Sequence, residues 1–152
     1  MNALANKTAL VTGGVRGIGA SITRTLAEAG AQVIACYHTP GDHIDVLEKE
    51  LATIGGEHHL VLTDVTDPDQ VIALAQTCRE RFGKLDVVVN NAGAISHVPF
   101  AELPLAEWHR VIDTGLTAAF HPLGGLLAHN RTSPAHQRND QVRSHAGTSL
   151  RL

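Results

Sequence analysis

The sequence predicts an α/β fold with an open, doubly wound parallel sheet. Apolar residues along the first 120 positions alternate between short runs typical of strands and longer stretches with helical spacing. Glycine or proline marks most of the changes between them. The run at 87–89 is continuously apolar, as in strands that helices cover on both faces. Because alternating strands and helices form βαβ units with right-handed crossovers, we expect a truncated sheet of about four strands in the order 3-2-1-4.

The strands are predicted from short apolar runs that glycine or polar residues bound. The first run ends at the glycine-rich segment that begins at Gly13, and the fourth ends at Asn90. Their branched aliphatic side chains favour the buried interior of a sheet. The predicted strands span residues 8–11, 33–37, 59–63 and 85–90.

The helices are predicted from apolar residues four apart and from their end signals. In the first helix this spacing begins at Ile18, and Gly30 is expected as the C-terminal cap. Asp67 followed by Pro68 is typical of a helix N-terminus and opens the third helix. The predicted helices span residues 18–29, 42–54 and 68–82, and a fourth runs from 104 or 105 past 111.

The composition of the chain changes near position 120. Through Phe120 there are eight Lys and Arg against 14 Asp and Glu, whereas from His121 onward four Arg face Asp140 alone. Residues 129–152 have no aromatic side chain and few large aliphatic ones, so they bury too little surface to offset their ordering entropy. We therefore predict a partial α/β domain over residues 1–120 and a disordered, unrecognisable tail over 121–152.

A glycine-rich turn joins the first strand to the first helix. Gly13 is expected to permit a tight turn, Gly17 to let the backbone approach a pyrophosphate, and Gly19 to let the helix pack against the sheet. The N–H groups and the positive dipole end of the helix favour phosphate. The turn therefore predicts a dinucleotide-binding site, with a plain strand-to-helix turn as the alternative. The same turn contributes Val15, Arg16 and Ile18 to the predicted site.

Three motifs together resemble the short-chain dehydrogenase/reductase family, in particular its 3-oxoacyl-ACP-reductase-like members. They are the glycine spacing, the pair Asp64-Val65 after the third strand, and the segment 90–93, which reads Asn-Asn-Ala-Gly at the end of the fourth. The resemblance covers about 120 of the 152 residues. It implies a Rossmann-like fold and an NAD(P)-dependent oxidoreductase, which transfers a hydride between the nicotinamide and a carbonyl or alcohol.

The resemblance also implies which residues would hold the cofactor. The three glycines of the turn would contact the pyrophosphate. Asp64 would hydrogen-bond the adenine amino group with the Val65 N–H beside it, although a turn or helix cap is the alternative for Asp64. The ribose and nicotinamide side would be lined by Asn90, Ala92 and Gly93. All these positions lie at the carboxyl ends of predicted strands, where open parallel sheets bind ligands.

The end of the second strand favours NADP(H) over NAD(H). NAD-preferring members of the family usually carry a carboxylate there, whereas this chain has Tyr37 and His38. Arg16 could pair with a ribose 2′-phosphate through its planar guanidinium group. The alternative for Arg16 is a solvated loop residue, and NAD stays open as the cofactor.

The catalytic residues that the family implies are not found, so no catalytic residue is assigned. The family uses a tyrosine, a lysine four residues later, a serine and an upstream asparagine. The single tyrosine is Tyr37, Gly41 stands four residues later, and Gly115 occupies the asparagine position. We therefore expect this chain to be inactive alone, as a damaged or frame-shifted reductase product. A non-catalytic dinucleotide-binding module and a partner-binding fragment are the alternatives.

Other classes of protein are disfavoured by composition. The ten histidines include no helical His-x-x-x-His pair, so no metal site is predicted. A net charge of −3 and a tail without aromatics argue against nucleic acid. No apolar run reaches the roughly 20 residues that span a membrane. Two isolated cysteines and no secretory signal favour the cytoplasm. The open sheet edge allows a homo-oligomer.

Overall fold

Within residues 3–120, a parallel sheet of four strands, hydrogen-bonded in the order β3-β2-β1-β4, forms the centre of the fold. The computed structural model describes residues 3–120, and the predicted tail over 121–152 lies outside these residues. The α/β class and the strand order 3-2-1-4 are confirmed. The strands are β1 (Thr8–Thr12), β2 (Gln32–Tyr37), β3 (His58–Leu62) and β4 (Val87–Val89).

In the described part of the chain, four α-helices connect or follow the strands. The fourth runs on through a π-helical segment, Asp113–Thr117, and is preceded by a single 3-10 turn, Phe100–Glu102. The helices are α1 (Gly17–Glu28), α2 (Asp42–Ile54), α3 (Pro68–Phe82) and α4 (Leu105–Ile112).

The two faces of the sheet bury different helices, because successive strand residues point to opposite sides. On one face, Ala9 and Val33 pack with residues of α1 and α2 such as Leu47. On the other face, Leu10 packs with Leu74 of α3. The core of β1 is completely buried, since β1 pairs with β2 on one side and with β4 on the other. The sheet is therefore doubly wound, as predicted.

The predicted helix ends are confirmed by their hydrogen bonds. Gly30 has a φ of +93°, and the Ala31 N–H donates 3.0 Å to the Leu26 carbonyl, which closes α1 in a Schellman motif. The Asp67 carboxylate accepts from the Asp69 N–H at 2.9 Å and so caps α3. Gly83, with a φ of +71°, ends that helix.

Strand β4 is shorter than the six residues predicted, and side chains take part in the pairing with β1 at its two ends. The Asp86 carboxylate accepts the Thr8 N–H at 2.9 Å before the strand begins. After the strand, the Thr12 hydroxyl accepts the Asn91 N–H at 3.0 Å. Strand β4 has three residues, Val87–Val89. Within residues 3–120, no helix is long and apolar enough to cross a membrane.

Candidate functional site

A cavity of about 1100 Å³ opens at the carboxyl edge of the sheet. The glycine turn before α1, the ends of β2 and β3, the segment after β4, and the region from α4 to the π-helical segment form its walls. Asn90 is exposed and does not line the cavity, whereas its neighbour Asn91 does. The other predicted site residues all line it: Gly13, Val15, Arg16, Gly17, Ile18, Gly19, Tyr37, His38, Asp64, Val65, Ala92 and Gly93.

Each glycine of the turn is needed for a different structural reason. Gly13 and Gly17 adopt positive φ values of +62° and +52°. A Cβ added at Gly17 would meet no atom within 4 Å, so this position faces open space at the start of α1. A Cβ at Gly19 would instead collide with the Gly13 carbonyl oxygen and the Asn91 amide. Gly19 therefore permits a close approach to the turn itself, which differs from the packing role expected from the sequence.

The glycine that packs the turn against the sheet is Gly14, which was not predicted as a site residue. A Cβ at Gly14 would lie 2.8 Å from the Ala35 Cβ on β2 and 2.9 Å from the Thr23 hydroxyl on α1. The Thr23 hydroxyl donates 2.8 Å to the Gly14 carbonyl. The Gly13-Gly14 doublet was the available signal, but the collision depends on neighbours that only the tertiary fold supplies.

Thr12 and Asn91 fasten the glycine turn to the segment after β4. The Thr12 hydroxyl accepts N–H bonds from Asn91 and Ala92, each at 3.0 Å. The Asn91 side-chain amide donates to the carbonyls of Thr12 at 3.0 Å and of Gly13 at 3.1 Å. Two walls of the cavity are thus held in fixed relation. Asn91 stood in the predicted motif without an assigned role.

Asp64 acts as a turn cap at the end of β3. Its Oδ1 accepts the Thr66 hydroxyl at 2.7 Å and the Thr66 N–H at 2.9 Å. These bonds hold the pKa of Asp64 below its ordinary value, so the group is a carboxylate at neutral pH. Its Oδ2 lies 3.7 Å from the Nε2 of His38 on the neighbouring strand end. The capping interpretation is confirmed, and the adenine contact of Asp64 stays a prediction.

The end of β2 contributes Tyr37, His38 and Thr39 to the cavity, and none of these carries a negative charge. His43, in the first turn of α2, also lines the cavity. Its Nε2 is buried without a hydrogen-bond partner among the residues that the structure describes. His43 was not predicted as a site residue, because no pattern in the sequence indicates a partner for it.

The far wall is built by α4 and the π-helical segment that continues it, where Arg110, Asp113, Thr114 and Thr117 line the cavity. Single π-helical turns occur often at functional sites. Glu107 accepts two bonds from Arg110, at 2.7 and 2.8 Å. The bonds from Arg110, with a further one from Ser96, lower the pKa of Glu107 to about 2. This wall was not predicted, because its residues lie on a helix rather than at a strand end.

The possible metal ligands and the two cysteines of the described residues were compared with what metal binding and thiol chemistry require. Over residues 3–120, no group of three or more His, Cys, Asp or Glu side chains is placed to hold a metal ion. Cys36 and Cys78 are both buried. Burial raises the pKa of Cys36 to about 11 and that of Cys78 to about 12, so both thiols are protonated and unreactive at neutral pH.

Comparison with known proteins gives matches in sequence and structure. The family model for short chain dehydrogenases matches residues 7–134. A short chain dehydrogenase/reductase of Colletotrichum higginsianum is 41% identical over 116 residues, which cover 76% of this chain and 43% of that protein. A 3-oxoacyl-[acyl-carrier-protein] reductase of Synechocystis is 37% identical over 120 residues, which cover 79% of this chain and 49% of that protein.

A solved structure shares the fold. A short chain dehydrogenase from Burkholderia cenocepacia, solved in complex with NADP, superposes with a TM-score of 0.79 at 30% identity. The match covers 83% of this chain and 51% of that chain. The chain therefore spans about half the length of the relatives it matches.

Proposed function

The chain belongs to the short chain dehydrogenase family, and we propose that its cavity binds a nicotinamide dinucleotide, with NADP(H) preferred over NAD(H). The observation that carries the proposal is the geometry at Gly17. This residue begins α1 with a φ of +52° and has open space where a side chain would lie. A pyrophosphate can therefore approach the unpaired N–H groups and the positive end of α1 closely.

The remaining contacts are assigned along the edge of the sheet. The adenine would lie by Asp64 and the Val65 N–H, near the end of β3. The nicotinamide side would lie by Ala92 and Gly93. Gly93 supports this assignment, since a Cβ added there would meet no atom within 4 Å. For Asn90 we retain the ribose contact as part of the proposal, although its side chain would have to reach the ligand from outside the cavity lining.

The preference for NADP(H) depends on charge at the adenosine end. Arg16 precedes α1 as its N-cap, has no side-chain capping bond, and is exposed beside the cavity. The end of β2 offers Tyr37 and His38 rather than a carboxylate that would repel a phosphate. The guanidinium of Arg16 is the group that would pair with the 2′-phosphate.

We further propose that the complete reductase reaction needs residues that this chain does not carry. The bound nicotinamide would supply the hydride chemistry that reduces a carbonyl or oxidises an alcohol. The described residues would orient the cofactor without moving a proton to substrate. The chain alone would therefore bind the cofactor without turnover.

Fluorescence titration of the full chain with NADPH and NADH tests the proposal. We expect saturable binding of both, with the lower Kd for NADPH. Arg16→Gln should raise the Kd for NADPH and leave the Kd for NADH unchanged, because only NADPH carries the 2′-phosphate. No saturable binding of either dinucleotide at millimolar concentration would refute the site, and equal Kd values would refute the preference alone.

A second candidate function, partner binding, is favoured by the surface of α4. This helix has no buried residue, and Leu105 and Trp108 are exposed by 69% and 45%. Exposed apolar patches of this kind are typical of interaction sites. The same titration separates the two candidates, since a partner-binding fragment has no reason to bind a dinucleotide.

A further inference from the structure

The wall of the cavity that follows β4 has no regular secondary structure. Residues 91–97 form neither helix nor strand, yet Gly93, Ala94 and Ile95 all line the cavity. Such a segment keeps one conformation only if other groups hold it. Its front end is held by Asn91, whose side chain and N–H bond to Thr12 and to the glycine turn.

The rear end of the same wall is held by Arg110 of α4. The Arg110 Nη2 donates 2.9 Å to the carbonyl oxygen of Ile95. The Glu107 carboxylate accepts the Arg110 Nε at 2.8 Å and Nη2 at 2.7 Å, which fixes the plane of the guanidinium. The Ser96 hydroxyl also hydrogen-bonds Glu107 and accepts the Val98 N–H at 3.2 Å. Helix and wall are thus joined at two consecutive residues.

We infer that Arg110 is a positioning residue for the cofactor, which holds the Gly93–Ile95 wall against the nicotinamide half of the dinucleotide. The inference rests on the proposed function, because it assumes that this wall faces a bound nicotinamide. Arg110 itself need not touch the ligand. It acts through the Ile95 carbonyl, and Glu107 keeps it aligned.

The geometry distinguishes this role from that of an ordinary surface ion pair. A pair three residues apart on an exposed helix contributes little to stability. The Arg110 side chain is 49% exposed, so its charge is well screened. An ion pair that served only the helix would not place an N–H on a carbonyl 15 positions earlier in the chain. Lysine could not reproduce the arrangement, because it lacks the planar fork that serves two acceptors at once.

Arg110→Met tests the inference through the two halves of the cofactor. We expect the Kd for NADPH to rise about tenfold, the factor that corresponds to one lost charge-assisted hydrogen bond. The Kd for 2′,5′-ADP, which lacks the nicotinamide, should not change. Arg110→Lys should recover only part of the NADPH affinity. A variant that is merely misfolded would bind both ligands more weakly, and that result, or no change for NADPH, would overturn the inference.

Arg24→Met is the matched control. Arg24 also donates to a glutamate, Glu50, at 2.6 Å, but this pair joins α1 to α2 and does not line the cavity. We expect Arg24→Met to leave the Kd for NADPH and for 2′,5′-ADP unchanged. An equal loss of NADPH affinity in both variants would show that any lost ion pair has this effect, and would overturn the specific role of Arg110.

Backbone ¹⁵N relaxation of the ligand-free full chain separates failure of this inference from failure of the proposed function. Amides of Gly93, Ala94 and Ile95 should give order parameters near about 0.85 in the unsubstituted chain and below about 0.6 in Arg110→Met, the values of rigid and flexible backbone. If the chain binds no dinucleotide, the proposed function fails, but this measurement still tests whether Arg110 holds the Gly93–Ile95 wall. Unchanged order parameters in Arg110→Met would overturn the role of Arg110 in holding this wall, whatever the titration gives.

Discussion

Replacing Gly17 by alanine isolates the contribution of the glycine turn to cofactor binding. Gly17 and Gly83 both have positive φ values, +52° and +71°, and a Cβ added at either position meets no protein atom within 4 Å. Alanine at each position therefore costs only the strain of a left-handed backbone, about 1–2 kcal/mol. Gly83 ends α3 in the left-handed conformation and does not line the cavity, so Gly83→Ala is a control for that strain.

The two variants should differ in binding and agree in stability. In Gly17→Ala the new methyl group occupies the space through which a pyrophosphate would approach the start of α1. We expect the Kd for NADPH to rise at least about tenfold, which corresponds to about 1.4 kcal/mol. Gly83→Ala should keep the Kd of the unsubstituted chain. Fluorescence titration and thermal unfolding of both variants provide the assay. Equal Kd values at equal stability would refute the assignment of the turn to the pyrophosphate.

Further predictions concern the hydrogen bonds and the open surfaces of the fold. Asn91→Leu leaves the carbonyls of Thr12 and Gly13 without their amide donor. The free energy of unfolding should therefore fall by about 1–3 kcal/mol. Urea unfolding measures this fall, and a change under about 0.5 kcal/mol would contradict the prediction. Burial acts to raise the pKa of Asp86, but the Thr8 N–H and two lysines outweigh it and lower that pKa below 3.8. The resulting stability is present above pH 3.8 and lost as the pH falls through the folded-state pKa, so Asp86→Asn should flatten the pH dependence of thermal unfolding below pH 4; an unaltered profile would count against it. The described part of β4 pairs only with β1, and Phe100 and Leu116 are exposed by 84% and 67%. The full chain should therefore self-associate or show low solubility, whereas a monodisperse monomer in analytical ultracentrifugation would contradict this. The change in composition after Phe120 predicts a shift of the reading frame. Resequencing the coding DNA should then reveal a one-base correction that restores a Tyr-x-x-x-Lys motif. A DNA sequence that encodes the chain without such a correction would exclude the shift.

The sequence predicts most of the fold because the relevant signals are local. The helix signals act over a few positions: they are the four-residue spacing of Ile22 and Leu26, which pack partly buried against the core, and the caps Gly30 and Asp67. Ile18, which begins that spacing, is exposed by 77%. The strand order then follows from the rules for crossovers. The shortening of β4 could not be predicted, since side chains take part in the pairing at its two ends across 78 and 79 positions of sequence.

In the candidate site, too, the parts with local sequence signals could be predicted, and the parts that depend on tertiary contacts could not. The glycine turn and the ends of β2 and β3 could be predicted, because the carboxyl ends of parallel strands meet at one edge of the sheet. Asn91, Gly14 and Arg110 were missed or left without a role, since each acts on a neighbour that only the tertiary fold supplies. Arg110 is the clearest example. Its sequence spacing to Glu107 indicates an ordinary helical ion pair, and only the contact with Ile95 shows that it also holds the cavity wall.

The positions of the tyrosine and of two lysines support the proposal that this chain binds the cofactor without turnover. A tyrosine donates a proton to a carbonyl substrate more readily when a neighbouring cation lowers the tyrosine's pKa towards the working pH. Tyr37 lies at the end of β2, on the side of the cavity assigned to adenosine. Lys7 and Lys84 instead pair with Asp86, which bonds the first residue of β1 at the opposite edge of the sheet.

The expected result is NADPH binding without ketone-dependent oxidation of NADPH. Absorbance at the reduced nicotinamide band, followed with a panel of ketones, measures turnover, and the fluorescence titration measures binding in the same preparation. Any ketone-dependent rate that Tyr37→Phe leaves intact would show that a proton donor other than Tyr37 completes the site. A rate that Tyr37→Phe abolishes would show that the assignment of Tyr37 to the adenosine side is wrong.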